Sequence, residues 1–287
     1  MSEPDPDTLP AELKAPAKLN LCLYLGPRRK DGLHELTSIF EPLTLHDVIT
    51  VSEAEGEGAD EVICPGVFGE NLVAKAMRMM RSEGWSSPRL KVEIEKRIPV
   101  QAGLGGGSAD AAAILRLGAG EVEDLAGLAL LLGADVPSQL NPKPLLVEGV
   151  GQKLTTLPQP AEHWIVLMPF IQGLSTRAVF DEADRLKLGR GQDEIDEISG
   201  RLWAVATNAV SPLAYPALLV NDLEPAAIAL MPEIGLAKER LEAAGAGFTG
   251  MTGTGPTVFG IFPDEDSARA AGEAIGSQAI VCQGGVT

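Results

Sequence analysis

Alternating apolar and polar residues predict strands in the first part of the chain. Between residues 17 and 25, every second residue is a leucine: Leu19, Leu21, Leu23 and Leu25. The positions between them carry Lys18, Asn20, Cys22 and Tyr24. A period of two is typical of a half-buried strand. The segments "ELTSIFEPL", "DVITVSE" and "RLKVEIEKRIP" predict further strands, and "EGEGAD" predicts a turn.

Apolar residues spaced three and four apart predict helices among these strands. In "ENLVAKAMRMMRSEG" the apolar positions keep helical spacing as far as Gly84. A second helix is predicted from Ser108, near its N-cap, to Leu117. A third helix, in "VEDLAGLALLLGADVPSQL", ends at Gly133, and "PLLVEGVGQKLTTL" predicts strands around a turn.

The pattern restarts after about residue 155. It predicts a buried strand "HWIVLMPF", a helix "STRAVFDEADRL" capped by Ser175 or Thr176, and a polar stretch "GRGQDEIDEISG". A helix around "EPAAIALMPEIGLAKERLEAAGA", strands near "GFTGMTG" and "TVFGIF", a helix "EDSARAAGEAIG" and a strand "AIVCQ" follow. This order predicts helices on one face of an antiparallel sheet. We therefore expect a disordered leader over residues 1–13 and two α+β domains over residues 14–155 and 156–287.

Composition and charge narrow the classes of function. The net charge is −17, which argues against non-specific binding to nucleic acid or to anionic membrane surfaces. The three cysteines, Cys22, Cys64 and Cys282, are odd in number and far apart, which argues against a disulfide framework or a zinc site. The first residues lack the pattern of a signal peptide, and no apolar run is long enough to span a membrane. We expect a cytoplasmic protein.

The glycine-rich segment "AGLGGGSADAA" predicts a phosphate-binding loop. A Walker A motif is excluded because no lysine lies between Lys96 and Lys143, and the dinucleotide fingerprint would need its third glycine where Ser108 stands. Glycines permit positive φ, and the helix that follows offers unpaired N–H groups and a positive dipole end. The alternative is a tight strand-to-helix connection without a ligand, but it needs only one or two glycines, and four stand here.

Six further segments extend this signal to nearly the whole chain. "PVQAGLGGGSADAA" resembles the second motif of the GHMP kinases, and "MTGTGPTVFGIF" resembles their third motif. "PAKLNLCLYLG", "KDGLHEL", "LGADVPSQL", "VEGVGQ" and "VNDLE" resemble the branch of this family that phosphorylates a cytidine diphosphate ester of methylerythritol. The matches run in order from Pro16 to Phe262, so the resemblance does not depend on one glycine loop.

The resemblance implies a fold and a reaction. The fold would be the α+β, two-domain GHMP kinase fold, with an N-terminal ribosomal-S5-like domain and a C-terminal ferredoxin-like α/β sandwich. ATP, with Mg²⁺, would donate its γ-phosphoryl group to the 2-hydroxyl of 4-diphosphocytidyl-2-C-methyl-D-erythritol, in the non-mevalonate route to isoprenoid precursors. The enzyme would act on this small molecule as a monomer or homodimer, without nucleic acid or membrane partners.

The resemblance also implies where ATP binds. The expected ATP-binding residues are Asn71, Pro99, Val100, Gln101, Ala102, Gly103, Leu104, Gly105, Gly106, Gly107, Ser108 and Ala109. Ser108 is a candidate Mg²⁺ ligand as well, and its alternative role is to cap the helix alone. Asn71 has the same alternative, because an asparagine at the start of a predicted helix is a common N-cap.

Lys18 and Asp135 are the expected catalytic residues. Asp135 in "GADVP" matches the family's candidate base, and its alternative is an ordinary aspartate in a turn after a helix. The resemblance places Lys18 beside that acid, where a cation favours the ionised carboxylate and alkoxide character in the nucleophile. The alternative for Lys18 is a solvated strand lysine. Asn20 lies two residues on, on the same face, and could hold Lys18 or a substrate hydroxyl.

The remaining expected residues bind the acceptor. They are Asn20, Leu33, His34, Thr176, Phe180, Gly253, Thr254 and Gly255. His34 matches the family's cytosine-reading histidine, and Phe180 matches an aromatic residue on one face of the base. Leu33 departs from the family's usual tyrosine and loses base stacking worth roughly 1–3 kcal/mol; Tyr24 is a possible replacement. Asp222 in "NDLE" is expected to be structural, and His46 and His163 are expected to lack partners and function.

Two other functions compete with this one. The first is a GHMP kinase with a non-nucleotide acceptor such as homoserine or a sugar, which Leu33 favours and "DGLHEL", Phe180 and "NDLE" oppose. The second is a non-catalytic binding or regulatory protein of the same fold. Such proteins usually lose the acid or the lysine, whereas Lys18 and Asp135 are both present.

Overall fold

The structure is a computed structural model, and it describes residues 9–67 and 69–285. Its strands are β1 (Ala11–Asn20), β2 (Tyr24–Arg28), β3 (His34–Glu53), β4 (Glu61–Ile63), β5 (Leu90–Glu95), β6 (Leu145–Gly149), β7 (Lys153–Thr156), β8 (Trp164–Met168), β9 (Phe248–Met251), β10 (Val258–Phe262) and β11 (Ile280–Gln283). Its α-helices are α1 (Leu72–Ser82), α2 (Gly106–Leu115), α3 (Leu125–Leu132), α4 (Val136–Gln139), α5 (Thr176–Leu186), α6 (Gln192–Ala206), α7 (Glu224–Leu230), α8 (Glu233–Ala243) and α9 (Glu265–Ile275).

The chain divides into two compact units, each built from separate segments. The first unit comprises the described residues of Met1–Ala17, Leu45–Val100 and Gly105–Pro142. The second comprises those of Lys18–Thr44, Gln101–Leu104 and Lys143–Thr287. The two units alternate along the chain, whereas the sequence predicts a single boundary between residues 155 and 156. That boundary between continuous domains stays a prediction.

The first unit packs helices against a small sheet. Residues 48–53 of β3 pair antiparallel with β5, and β4 pairs parallel with β5. Helix α1 turns Val73, Ala76, Met77 and Met80 inward, as the helical spacing predicts, and Gly84 follows its end. Helix α2 is buried from Ala109 to Leu115, and its run of alanines lets neighbouring elements approach closely. The predicted end of the third helix at Gly133 is confirmed, because α3 ends at Leu132.

The second unit contains a four-stranded antiparallel sheet in the order β11-β8-β10-β9. Helices α8 and α9 pack on it, and the buried core between helices and sheet is almost entirely aliphatic. Taken in chain order, these strands are the fourth, first, third and second, which is the arrangement of a ferredoxin-like sandwich. The predicted C-terminal α/β sandwich is therefore confirmed.

The start of the chain departs from the sequence prediction. The sequence predicts a disordered leader through residue 13, but β1 begins at Ala11, because Ala11 and Leu13 alternate with exposed residues and are buried. Residues 1–8 of that leader lie outside the described residues. The alternating segment at residues 17–25 is interrupted, since β1 ends at Asn20 and β2 begins at Tyr24. Both of its sets of side chains are buried, so it is not half-buried.

Three further predictions are wrong in detail. "ELTSIFEPL" and "DVITVSE" form one strand, β3. Residues 36–40 of this strand pair with β6, and residues 48–53 pair with β5. Pro42 lies between the two paired stretches, so its missing N–H group costs neither pairing a hydrogen bond. The polar stretch "GRGQDEIDEISG" opens helix α6, because Ile195, Ile198 and Leu202 form one buried face. The predicted helix around "EPAAIALMPEIGLAKERLEAAGA" is two helices, α7 and α8, separated at Pro232.

A buried ion cluster ties α2 to the strands of the first unit. The Lys96 ammonium donates to the carboxylates of Asp47 and Asp110, and its Nζ lies 2.8 Å from Asp110 Oδ2. Asp47 Oδ1 also accepts the backbone N–H groups of Arg97 and Ile98, at 2.6 and 2.8 Å. Burial raises the pKa of Asp110 to about 7, although the charge of Lys96 opposes this. Lys96 therefore pairs with two buried carboxylates, of which Asp110 belongs to α2.

His163 has a buried partner in the second unit, which corrects the expectation that it lacks one. Its Nε2 lies 3.0 Å from Glu41 Oε2, and its Nδ1 lies 2.9 Å from the carbonyl oxygen of Ala161. Burial lowers the pKa of His163, but the hydrogen bond and charge of Glu41 outweigh it and raise the pKa above its ordinary value. The carbonyl oxygen of His163 accepts a hydrogen bond from Gly284 N, and Gly284 also forms a bridge with Leu43 of β3. The pair therefore lies where the end of the C-terminal strand meets β3 and β8.

The ion cluster predicts a large effect of Lys96→Met. This change leaves two buried carboxylates without their cation, and we expect the free energy of unfolding to fall by about 3–5 kcal/mol. Urea unfolding measures the change. The control is Lys91→Met on β5, whose pair with Glu93 is exposed, and its expected loss is below about 1 kcal/mol. Equal losses in the two variants would contradict this prediction.

The Glu41–His163 pair predicts a pH dependence of stability. Because the folded-state pKa of His163 is raised, its stabilising contribution is complete below about pH 6.5 and is lost as the pH rises through the folded-state value. We expect His163→Gln to lower the free energy of unfolding more at about pH 6 than at about pH 9. Glu41→Gln, which removes the partner, should reduce the same pH dependence. A penalty for His163→Gln that is equal at both pH values would refute the assignment.

Candidate active site

In the first unit, the glycine segment opens helix α2 without a side-chain cap. Gly105 occupies the N-cap position with φ +71° and ψ 15°, and no side chain caps the helix there. The first intrahelical bond runs from Ala109 N to Gly105 O, so the N–H groups of Gly106, Gly107 and Ser108 precede it. No acidic residue stands in the first turn. This end of α2 can therefore bind an anion with its N–H groups and its dipole.

The predicted start of the helix at Ser108, near its N-cap, is wrong by two residues. Helix α2 starts two residues earlier, at Gly106, because Gly105 adopts the left-handed conformation that ends the preceding segment. Ser108 therefore lies in the first turn, and its N–H group precedes the first intrahelical hydrogen bond. Capping is excluded as its role, and the predicted contact with phosphate or Mg²⁺ stays a prediction.

Close packing favours glycine at Gly106 in this helix start, whereas Gly107 has room for a methyl group. A methyl group on Gly106 would lie 3.1 Å from Ile98 Cγ2 and 3.2 Å from Lys96 Nζ. A methyl group on Gly107 would lie 3.8 Å from Leu72 Cδ1, beside Asn71. Asn71 caps α1, since its Oδ1 accepts Val73 N at 2.8 Å. The first unit thus brings Asn71 near the start of α2, while Pro99 and Val100 lead into the loop and Ala109 is buried behind it.

In the second unit, the first half of the glycine segment packs against the third motif. Thr257 Oγ1 donates to the carbonyl oxygen of Ala102 at 2.6 Å. A side chain on Gly103, which has φ +77°, would lie 2.9 Å from the carbonyl oxygen of Gly255. Only glycine fits there, because both the conformation and the space exclude a Cβ atom. Leu104 O accepts Lys18 N at 2.9 Å, and Gln101 opens the segment with φ +60°.

Lys18 is buried, which excludes the alternative of a solvated strand lysine. Its side chain is 6% exposed, and its Nζ donates to Asn20 Oδ1 at 2.6 Å. The ammonium also lies 4.7 Å from the centre of the Phe40 ring, within the range of a cation–π contact. Asn20 Nδ2 donates in turn to Ser38 Oγ at 3.0 Å. The predicted common face of Lys18 and Asn20 is confirmed, and Asn20 holds the lysine.

The loop of the third motif lies directly against this pair. A methyl group on Gly253 would lie 3.2 Å from Asn20 Oδ1 and 3.9 Å from Lys18 Nζ. Asn221 holds the loop, because its Nδ2 donates to the carbonyl oxygens of Met251 and Gly253 at 2.7 and 2.8 Å. Sequence reasoning named "VNDLE" but missed Asn221. Its place in that motif, next to Asp222, was the feature of the sequence that could have identified Asn221.

Thr252 is a second residue that sequence reasoning missed. Its Oγ1 accepts the backbone N–H of Asn20 at 2.9 Å, so it joins the strand of Lys18 to the third motif.

In the same loop, the hydroxyls of Thr254 and Thr176 lie 3.3 Å apart. Two residues predicted to bind substrate are therefore adjacent, although they are 78 positions apart in the chain.

His34 is held by the protein at both ring nitrogens. Its Nδ1 lies 3.2 Å from the carbonyl oxygen of Gly26, and its Nε2 lies 3.1 Å from Asp184 Oδ1. Its ring stacks on Phe180, with the ring centres 5.6 Å apart. The structure therefore brings together His34 and Phe180, which the sequence predicts to bind one base. Leu33 beside them is 53% exposed, and Asp184 was missed.

Tyr24 does not take the place of the tyrosine that Leu33 replaces. Its ring is buried, its hydroxyl donates to the carbonyl oxygen of Leu218 at 3.0 Å, and the Arg190 guanidinium lies over the ring. Burial raises the pKa of Tyr24 to about 12. The Asp222 carboxylate accepts hydrogen bonds from Arg190 Nε at 2.6 Å and Arg190 Nη2 at 2.8 Å. It also accepts one from Leu25 N at 3.0 Å. These contacts agree with the expected structural role of Asp222.

Asp135 lies in the first unit, at the N-cap position of α4. Its side chain makes no capping hydrogen bond, and its backbone oxygen accepts Ser138 Oγ at 2.7 Å. The half-buried carboxylate is therefore not used to cap the helix that follows it. Because Asp135 and Lys18 belong to different units, their predicted pairing stays a prediction.

Two features of the described residues concern metal binding and membrane insertion. No group of three or more histidine, cysteine, aspartate or glutamate side chains could hold a metal ion there. Mg²⁺ in kinases needs only one or two protein ligands besides phosphate and water, so this finding does not conflict with an ATP site. Within the same residues, no helix combines the length and apolar character needed to cross a membrane.

Models of one protein family match both halves of the chain. The model for "GHMP kinases N terminal domain" matches residues 71–140, and the model for "GHMP kinases C terminal" matches residues 210–281. The 4-diphosphocytidyl-2-C-methyl-D-erythritol kinase of Syntrophotalea carbinolica is 37% identical over 278 residues, covering 92% of this chain and 94% of the relative. The enzyme of that name from Sinorhizobium medicae is 37% identical over 287 residues, covering 92% and 90%.

Solved structures agree with these matches. A crystal structure of 4-(cytidine 5'-diphospho)-2C-methyl-D-erythritol kinase is 32% identical, with a TM-score of 0.80 over 96% of this chain and 100% of that one. Homoserine kinase from Cytophaga hutchinsonii, at 17% identity and a TM-score of 0.70 over 98% and 96%, shares the fold alone. The predicted α+β, two-domain fold is confirmed. The chain belongs to the 4-diphosphocytidyl-2-C-methyl-D-erythritol kinase family of the GHMP kinases.

Proposed function

We propose that this protein transfers the γ-phosphoryl group of ATP to the 2-hydroxyl of 4-diphosphocytidyl-2-C-methyl-D-erythritol, a step toward isoprenoid precursors. One observation carries the proposal: a helix start suited to phosphate lies in a chain that matches relatives named for this activity over 92% of its length. The homoserine-type acceptor has only the shared fold and the presence of Leu33 in its favour. We further propose that the enzyme acts in the cytoplasm as a monomer or homodimer.

The start of α2 would hold the phosphates of ATP. The N–H groups of Gly106, Gly107 and Ser108 supply donors, and the uncapped helix end supplies the positive dipole. Residues 99–105 would follow the nucleotide with their backbone, and Asn71 would lie beside it. Ser108 is the proposed Mg²⁺ ligand, because its hydroxyl stands in the first turn of this helix. When bound, Mg²⁺ would supply positive charge that offsets the negative charge developing on the transferred phosphoryl group.

Lys18 and Asp135 would prepare the acceptor hydroxyl. The carboxylate of Asp135, at the start of α4, would accept the proton of the 2-hydroxyl. The Lys18 ammonium, fixed by Asn20, stabilises negative charge on the attacking oxygen. The electron pair of that oxygen then forms the bond to the γ-phosphorus as the bond to the ADP oxygen breaks.

The remaining site residues would bind the acceptor. His34, Phe180 and Leu33 surround the proposed cytosine position, and Thr176 and Thr254 present adjacent hydroxyls beside it. Gly253 and Gly255 let the third-motif backbone approach closely, which a Cβ atom would prevent. Leu33 covers the base through apolar contact, so we expect weaker base stacking than a tyrosine gives.

The acceptor assay tests the proposed function. We expect ATP consumption to depend on 4-diphosphocytidyl-2-C-methyl-D-erythritol, with product phosphorylated at the 2-hydroxyl, and to stay at background with homoserine or mevalonate. Coupled detection of ADP measures turnover, and ³¹P NMR locates the new phosphate. Turnover of homoserine or mevalonate together with inactivity toward the cytidyl substrate would refute the proposal.

The role of Asp135 is tested by Asp135→Asn. This change removes the proton acceptor, and we expect kcat to fall by about 10²–10⁴-fold while the Kd of ATP stays within a few-fold of its original value. Steady-state kinetics and calorimetric titration with a non-hydrolysable ATP analogue measure the two quantities. The control is Asp124→Asn, since asparagine caps α3 as well as aspartate does, and its kcat should not change. Near-normal turnover of Asp135→Asn would exclude Asp135 as the base.

A further inference from the structure

The ring nitrogens of His34 are both directed at acceptors within the protein. Nδ1 lies 3.2 Å from the Gly26 carbonyl oxygen, and Nε2 lies 3.1 Å from Asp184 Oδ1. Both ring nitrogens are therefore engaged by oxygen atoms of the protein. The His34 side chain is only 7% exposed. A ligand that reaches this place therefore meets a ring edge that is already engaged.

Asp184 is the more accessible polar group of this cluster. Its side chain is 33% exposed, and its two oxygens contact different partners. Oδ1 lies 3.1 Å from His34 Nε2, and Oδ2 lies 3.3 Å from Arg28 Nη1. A carboxylate offers about four acceptor positions, so these two contacts orient Asp184 without using all of its capacity.

An aromatic surface lies one helical turn from this carboxylate. Phe180 and Asp184 are four residues apart on α5, so their side chains lie on one face of the helix. Phe180 packs against His34, and the exposed Leu33 precedes His34 in the chain. A planar ring beside Phe180 would therefore have a carboxylate at its edge. This combination suits a base that carries an amino group.

We propose that Asp184 determines the base specificity of this enzyme by accepting a hydrogen bond from the 4-amino group of cytosine, while His34 and Arg28 hold its carboxylate in place. The inference rests on the proposed cytidyl substrate and adds a specificity residue to that site. Uracil carries a carbonyl oxygen where cytosine carries the amino group. Two acceptors then face each other, so the same carboxylate that attracts cytosine repels uracil.

A purely structural role of Asp184 makes a different prediction. If Asp184 only holds His34, its loss should weaken the binding of every base alike. If it reads the amino group, its loss should weaken binding of cytidine compounds and leave uridine compounds unchanged or improved. The ratio of the two affinities separates these roles, whereas either affinity alone does not.

The test uses the full-length enzyme and two free nucleotides, CDP and UDP. Each is measured as a competitive inhibitor against the cytidyl substrate at saturating ATP. We expect CDP to bind the unaltered enzyme at least about tenfold more tightly than UDP. In Asp184→Asn, whose amide can also donate to a carbonyl, we expect this preference to fall to about one- to twofold. Asp184→Glu, which keeps the charge, should retain a preference for CDP.

The matched control is Asp181→Asn on the same helix. Asp181 is 67% exposed and pairs with Arg177, so this variant has the same change of charge outside the cluster. It should keep the CDP preference of the unaltered enzyme. An unchanged preference in Asp184→Asn, or equal weakening of CDP and UDP, would overturn the inference and leave the proposed function intact. If the unaltered enzyme does not turn over the cytidyl substrate, both proposals fail; if it does but shows no preference for CDP over UDP, only the inference about Asp184 fails.

Discussion

The ammonium group of Lys18 is a charge held in the interior of the second unit, and its burial constrains what surrounds it. An unpaired charge in that position would be strongly destabilising, so donors and acceptors must converge on it. Asn20 supplies an amide oxygen, Phe40 supplies a ring face, and Ser38 and Thr252 hold Asn20 in turn. The strand that carries Lys18 is therefore bound to β3 on one side and to the third motif on the other.

The glycines of both motifs follow from the same crowding. A Cβ atom on Gly253 would lie 3.2 Å from Asn20 Oδ1, a tight contact that Asn20 would have to relieve by shifting. Gly103 meets the Gly255 carbonyl at a distance that excludes a Cβ atom. In the first unit, Gly105 has a left-handed backbone and opens α2 without a cap. Glycine thus serves two physical purposes here: close approach of backbones in the second unit, and exposure of helical N–H donors in the first. Such local donors suit an anionic nucleotide in a chain with net charge −17, because they act at contact distance.

The acceptor side of the site depends on polar groups that support one another. Gly26 and Asp184 fix the His34 ring, Arg28 fixes Asp184, and Phe180 covers the ring face. Leu33 contributes apolar cover without an aromatic ring, and Tyr24 is committed to Leu218 and Arg190. With the acceptor bound as proposed, base recognition in this chain would therefore rest more on hydrogen bonding at the edge of the base than on stacking between two aromatic rings.

The sequence by itself determined the elements with a clear period, the identity of the motifs and the family. The helix spacing of α1, the alternation of β5 and the order of the C-terminal elements are local properties. The glycines of residues 103–107 permit the positive φ that Gly103 and Gly105 adopt. Only the tertiary structure decided that Lys18 is buried, that α2 starts at Gly106 and that His163 pairs with Glu41. It also decided that Asp184 reaches His34, 150 positions away in the chain. The reason is physical: burial and pairing depend on groups brought from distant segments, and no local pattern records which partner a buried charge will find.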